Sequence, residues 1–231
     1  MGQENMGIQA IVWDFDGVLL DSELLHMEAE TETFKKFGFS LPMTVMKQYF
    51  GIKLEDYFGE IAERYGMKST VREMIRAHYE TLVHYYGEVF PLTPHALEVL
   101  RELAESYDMA IATSRERELA QLAMKRWSLD TYFKSIIYGD DVRAGKPDPE
   151  PFLRACEMLG VQPSAAVAVE DAEAGLISAK KAGMNVIALK CEHNRDMDFS
   201  RADRVVEDLR EIPGLLQDPE GFQVKGASGC P

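Results

Sequence analysis

The sequence predicts an α/β fold: a parallel sheet covered by helices on both faces, interrupted after its first strand by an all-helical insertion. Three observations predict it. Six short apolar runs recur along the 231 residues. Amphipathic helical patterns separate most of them from the second run onward, and no strand-like run occurs between about residues 22 and 88. Strands buried on both faces read as short continuous apolar stretches, and alternation with helices builds a parallel sheet.

The first run, "IQAIVW" (8–13), ends in "DFDG". Four helical patterns follow: 22–37 closed by Gly38, 42–50, 54–65 closed by Gly66, and 69–86. The third would place Tyr57, Phe58, Ile61, Ala62 and Tyr65 on one side, the fourth Met74, Ile75, His78, Leu82 and Tyr86. Stripes at this spacing are core faces. Next, "PHALEVLRELAESY" carries Leu97, Leu100, Leu103 and Ala104 on one face, before "MAIAT" (109–113) and "SIIY" (135–138). "EPFLRACEMLG" presents Phe152, Leu153, Cys156 and Leu159 ahead of a glycine stop. "AAVAV" (165–169), the helix-like "AEAGLISAKKAG", "NVIAL" (185–189) and "RVV" (204–206) complete the series. The expected organisation is a core of 1–21 plus 89–231 and a helical cap of 22–88.

The hydrophobic fraction, 46%, is enough for a packed core. A net charge of −14, from 39 acidic and 25 basic residues, argues against nonspecific nucleic-acid binding. Any anion site must therefore be local. Cys156, Cys191 and Cys230 are few, odd in number and without CxxC or Cys/His metal spacing, which points to a reduced, cytoplasmic protein. "MGQENMGIQA" lacks the apolar core of a signal peptide, no run is long enough to cross a membrane, and "QVKGASGCP" reads as a loose tail.

Polar residues cluster just beyond the strands, where open parallel sheets bind ligands. Asp14 and Asp16 follow the first run, and Thr113 and Ser114 the second. Lys146 follows the third within "GDDVRAGKPDP", and Glu170 and Asp171 follow the fourth. Each has a plain structural alternative. "DFDG" is a turn composition, Asp21-Ser22 or Thr113-Ser114 could cap a helix, Lys146 could be a solvated loop lysine, and Glu170-Asp171 could sit at a helix N-terminus. Their joint occurrence, each beyond a strand, favours a site.

The chemistry such a set supports is phosphoryl transfer. Mg²⁺ between Asp14, a phosphate oxygen and the acids at 170–171 would cancel charge repulsion, and the donors are oxygens with no His or Cys cluster. Thr113 and Lys146 would hold the remaining phosphate oxygens. Asp14 would attack phosphorus, while Asp16 would protonate the leaving alcohol and then activate water.

"DFDGVLLDS", "IATS", "GKPDP" and "VEDAEAG" resemble the four ordered motifs of the haloacid dehalogenase-like superfamily, over about Ile8 to Leu189. The helical insertion resembles the cap of its β-phosphoglucomutase and phosphoglycolate-phosphatase group. The resemblance implies a Rossmann-like core, Mg²⁺ dependence and a mobile cap. It makes Asp14 nucleophile and metal ligand, and Asp16 acid/base and a metal ligand through its backbone carbonyl. Thr113 and Lys146 bind phosphate, and Asp171 binds metal with Glu170 as a direct or indirect partner. Ser114 and Arg115 follow the second motif and could touch substrate, although a surface position suits Arg115 better. Asp16 speaks against haloacid dehalogenases and phosphonoacetaldehyde hydrolases, and Lys53 is read as a solvated cap lysine.

The expected function is thus a Mg²⁺-dependent phosphatase of small phosphorylated metabolites, of the sugar-phosphate or phosphoglycolate type, monomeric like other capped relatives. The alternative is a hexose-phosphate mutase. His26 stands where those mutases keep a cap histidine that meets the acid/base and substrate, but a partly exposed helix histidine explains it equally. Their phosphate-gripping cap arginine corresponds to Leu54, with Lys53 or Arg76 as substitutes. A third reading, a non-catalytic regulatory protein on the same fold, should lack a nucleophile or a metal ligand, and neither is missing here.

Overall fold

Strand β1 (Ala10–Trp13) is wholly buried, and its side chains alternate between two apolar layers. Ile11 and Trp13 enter one layer, Ala10 and Val12 the other. The computed structural model describes residues 7–86, 91–218 and 222. Within them lie five further strands: β2 (Asp108–Ala112), β3 (Ser135–Ile137), β4 (Ala166–Glu170), β5 (Asn185–Leu189) and β6 (Arg204–Val206). They form one sheet in the order β3-β2-β1-β4-β5-β6, with every neighbouring pair parallel. The α/β class and all six expected strands are present.

Four helices precede β2 in the segment read as helical: α1 (Glu23–Lys36), α2 (Met43–Met46), α3 (Leu54–Arg64) and α4 (Val71–Tyr86). Phe34, Met46, Tyr57, Phe58, Ile61 and Met74 close a core among them, while Ala29 and Leu82 pack into the layer beside the sheet. The helix expected over 42–50 is only one turn, continued by a tighter turn at Lys47–Tyr49. Tyr65 is exposed, not core, and rests on the Phe39 ring at 4.8 Å; Ala62 is half-buried. The side chain of Tyr86, Cys230 and the expected tail lie outside the described residues.

Helices α5 (Ala96–Leu103), α6 (Arg117–Trp127) and α9 (Ile212–Gln217) cover one face of the sheet. Helices α7 (Glu150–Leu159) and α8 (Glu173–Ala182) cover the other, where Ala110, Ala112, Ala166 and Ala168 leave room for close approach. The buried face of α5 is Ala96, Val99, Leu100 and Leu103; the helix stops before Ala104, which is exposed. In α7 it is Phe152, Ala155 and Cys156 that face inward, and Leu153 is 42% exposed. Small alanines hid these faces from a reading based on large residues. No helix among the described residues is long and apolar enough to cross a membrane.

Candidate active site

Register decides which strand ends meet. Trp13 pairs with Val169 across β1 and β4, so Asp14 and Glu170 emerge side by side, and the Asp14 N–H donates to the Val169 carbonyl at 2.9 Å. From β1 the chain order runs outward in both directions across the sheet, which makes this edge its switch point. Asp14, Glu170 and Asp171 are buried, and one carboxylate oxygen from each lies within 4.8 Å of the others.

Lys146 reaches them from the loop after β3. Its side chain is fully buried, and Nζ donates to Asp14 at 2.7 Å and Glu170 at 2.6 Å. It is therefore no solvated loop lysine. Burial alone would lower its pKa, but the two carboxylates outweigh burial and raise it. Asp14 is pushed well above the usual carboxylate range by burial and by Glu170, against the pull of Lys146. Burial likewise raises Asp171 to about 6, opposed by a hydrogen bond with His193.

Glu170 also accepts the amides of Asp171 (2.9 Å) and Ala172 (3.0 Å), which precede α8; the N-cap of that helix is Ala172 and no side chain caps it, so the helix-cap alternative does not hold for Glu170 or Asp171. Two glycines make the approach feasible. A Cβ on Gly17, whose φ is +75°, would overlap the Asp171 carboxylate, and one on Gly175 would overlap that of Glu170.

Asp16 occupies a different environment. Ser22 does not cap α1 with its side chain; its hydroxyl donates to Asp16 Oδ1 at 2.5 Å. Arg115 Nε donates to Asp16 Oδ2 at 2.8 Å, and a guanidinium Nη2 also meets Oδ1 and the His26 ring. His26 Nε2 is 3.5 Å from Asp16. Burial would raise the Asp16 pKa, but Arg115 and His26 hold it far below the usual carboxylate range. The expectation of a surface Arg115 is overturned: the residue is 7% exposed because Asp16 pairs with it. Folding thus gives Asp16 stability that is present above about pH 4, the unfolded carboxyl value, and lost as pH falls below it. Asp16→Asn should melt below the wild type at pH 7, and that gap should narrow as melting is repeated down to pH 3. An unchanging gap would mean that the ion pair adds no stability.

Thr113 is buried and its hydroxyl accepts the Arg115 N–H at 3.0 Å, which leaves its own proton free to donate. Ser114 donates instead to the Gly51 carbonyl of the helical segment, at 2.6 Å, although it lines a cavity together with Asp14, Asp16 and Thr113. Lys53 is half-buried rather than solvated; it lies over Gly145 and its Nζ is 3.4 Å from the Val142 carbonyl. Arg76 is exposed, pairs with Glu80 at 3.1 Å and does not line the cavity over Asp14 and Asp16, whereas Leu54 does.

The stretch after β5 escaped the sequence reading. His193 Nε2 lies 2.9 Å from Asp171 Oδ2, Cys191 Sγ lies 3.2 Å from His193 Nδ1, and Asn194 donates to the Asp171 carbonyl at 2.8 Å. A histidine and a cysteine therefore stand behind Asp171, while the carboxylates of Asp14, Glu170 and Asp171 alone form the cluster whose ligand atoms converge among the described residues. The signal was available, because "CEHN" follows the fifth apolar run on the same sheet edge.

A family description, haloacid dehalogenase-like hydrolase, matches residues 11–189. The chain is 30% identical over 204 residues to the validoxylamine A 7'-phosphate phosphatase of Streptomyces hygroscopicus subsp. limoneus, covering 87% of this chain and 94% of that protein. It is 29% identical over 181 residues to the phosphorylated carbohydrates phosphatase of Thermotoga maritima, covering 78% and 84%. Among solved structures, CbbY from Rhodobacter sphaeroides in complex with xylulose-(1,5)bisphosphate is 25% identical with a TM-score of 0.78, covering 94% of this chain and 99% of that one.

Proposed function

The chain belongs to the haloacid dehalogenase-like hydrolases, and from that premise we propose that it is a Mg²⁺-dependent phosphatase of small phosphorylated metabolites, working through an aspartyl-phosphate. It is a phosphoric monoester hydrolase, as its phosphatase relatives are. The observation that carries the reading is the convergence of Asp14, Lys146, Glu170 and Asp171 from three separate strand ends.

The donor set fits a hard divalent cation. The three acids offer oxygen only, and burial together with the neighbouring Glu170 raises Asp14 and Asp171, a cost that a divalent cation among them would offset. Asp14, Asp171 and the Asp16 carbonyl would hold Mg²⁺, with Glu170 alongside. When bound, the ion would supply charge neutralisation between phosphoryl oxygens and carboxylate.

Asp14 attacks phosphorus and the alcohol departs with a proton from Asp16; water then attacks the aspartyl-phosphate, Asp16 takes its proton, and phosphate leaves Asp14 free. Thr113 and Lys146 bind the phosphoryl oxygens. Arg115 keeps Asp16 ionised in the arrangement seen, which suits the second step. The first step requires Asp16 to acquire a proton and so to loosen from Arg115. Helices α1–α4 act as the cap, contributing His26 beside Asp16 and Gly51 against Ser114. The reading keeps the enzyme monomeric and cytoplasmic.

Hydrolysis of p-nitrophenyl phosphate should require added Mg²⁺, fall by more than about 100-fold in excess chelator, and return on readdition. Full turnover in chelator would overturn the metal assignment. His26, placed near Asp16, favours the mutase as the second reading, while Leu54 in place of a cap cation weakens it. Isomerisation of β-glucose 1-phosphate distinguishes the two.

A further inference from the structure

The cavity over Asp14 and Asp16 runs on into the helical segment, and its far walls carry one sign of charge. Glu30 on α1 is 7% exposed and lines it; its only hydrogen bond among the described residues is the Tyr57 hydroxyl, 3.1 Å from Oε2. Glu116, half-buried ahead of α6, faces the same space beside Tyr79, and Glu55 at the start of α3 stands at its mouth. None of the three carboxyls has an ion-pair partner among the described residues. The one guanidinium or ammonium lining the cavity there is Arg115, which is turned to Asp16.

This arrangement is unfavourable as it stands. Burial raises Glu30 to about 8, with the Tyr57 bond opposing, and raises Glu116 against the pull of Tyr79, with Glu55 adding to it. Buried carboxyls with such values lack a countercharge. A second phosphate or a carboxylate on the substrate would find no Lys or Arg on these walls beyond Arg115, which pairs with Asp16, and so would gain no countercharge there. An ammonium group would find carboxylates to pair with.

We propose that the substrate carries a protonated amine on its alcohol portion, held by Glu30 together with the Glu55–Glu116 pair, so that the preferred class is phosphate monoesters of amino sugars or amino alcohols. The inference rests on the phosphatase reading above and names its substrate class. It also separates this chain from the bisphosphate-bound CbbY.

The test compares kcat/KM at pH 7 within matched pairs that differ by one amine: glucosamine 6-phosphate against glucose 6-phosphate, and phosphoethanolamine against 2-hydroxyethyl phosphate. The expected ratio is about 10-fold or more in favour of the amine in at least one pair, consistent with one charge-assisted contact. In Glu30→Gln and in Glu116→Gln the ratio should fall toward one. Because the ratio is taken within each variant, a general loss of activity cancels. Phosphoglycolate and fructose 1,6-bisphosphate should be poorer substrates than either amine. Ratios below ten in both pairs, a ratio unmoved in both variants, or preference for a doubly anionic ester would overturn the inference while p-nitrophenyl phosphate hydrolysis keeps the phosphatase reading. No hydrolysis of any ester would overturn both.

Discussion

Asp14→Asn will lose at least about 10⁴-fold of p-nitrophenyl phosphate turnover and keep its fold, as expected when a group that forms the covalent intermediate is removed. An amide has the same shape but cannot attack phosphorus. The stability half of the expectation follows from the neighbours. Asp14 is buried beside Glu170 and Asp171, with Lys146 as the nearest cation, and its pKa is raised by burial and by those carboxylates. A carboxyl whose folded pKa lies above its unfolded value of about 3.9 weakens the fold once pH exceeds that value. The uncharged amide relieves this repulsion, and its carbonyl can still accept from Lys146. The melting temperature at pH 7 should therefore equal or exceed that of the wild type. An active variant would refute the nucleophile assignment, and a large drop in melting temperature would show that Asp14 is kept for structure.

Lys146→Met should be destabilising and inactive. The Lys146 side chain is wholly buried and contacts both Asp14 and Glu170, so its removal leaves these two buried carboxyls without their cation. Breaking a buried pair from one side costs about 3–5 kcal/mol. For a chain of this size that lowers the melting temperature by on the order of 10 °C. Adding Asp14→Asn to Lys146→Met removes one stranded charge and should recover part of the loss, the coupling expected of residues in one network. A Lys146→Met protein that melts within about 2 °C of the wild type would contradict this account.

The strand ends show how much was legible. Asp14, Thr113, Lys146, Glu170 and Asp171 each follow an apolar run, so a topological rule was enough to nominate them. His193 and Asn194 were just as nominable, after Asn185–Leu189, but that strand end was passed over. Arg115 could not be read. Arginines are mostly surface residues, and only the approach of Asp16, 99 residues away in the chain, makes a buried position favourable. The same holds for Glu30, whose burial depends on where α1 lies relative to Tyr57.

By itself, the amino-acid order determined the six parallel strands, the helical insertion and the nomination of the strand-end acids, because strand burial and strand-end chemistry are local patterns of apolar and polar residues. Tertiary structure alone decided the ionisation environment: which acids share Lys146, why Asp16 is held charged by Arg115, and how Glu30 and Glu116 come to face one cavity without a counterion. Electrostatic energy depends on distance and burial between residues far apart in the chain, and neither quantity is encoded in spacing along it.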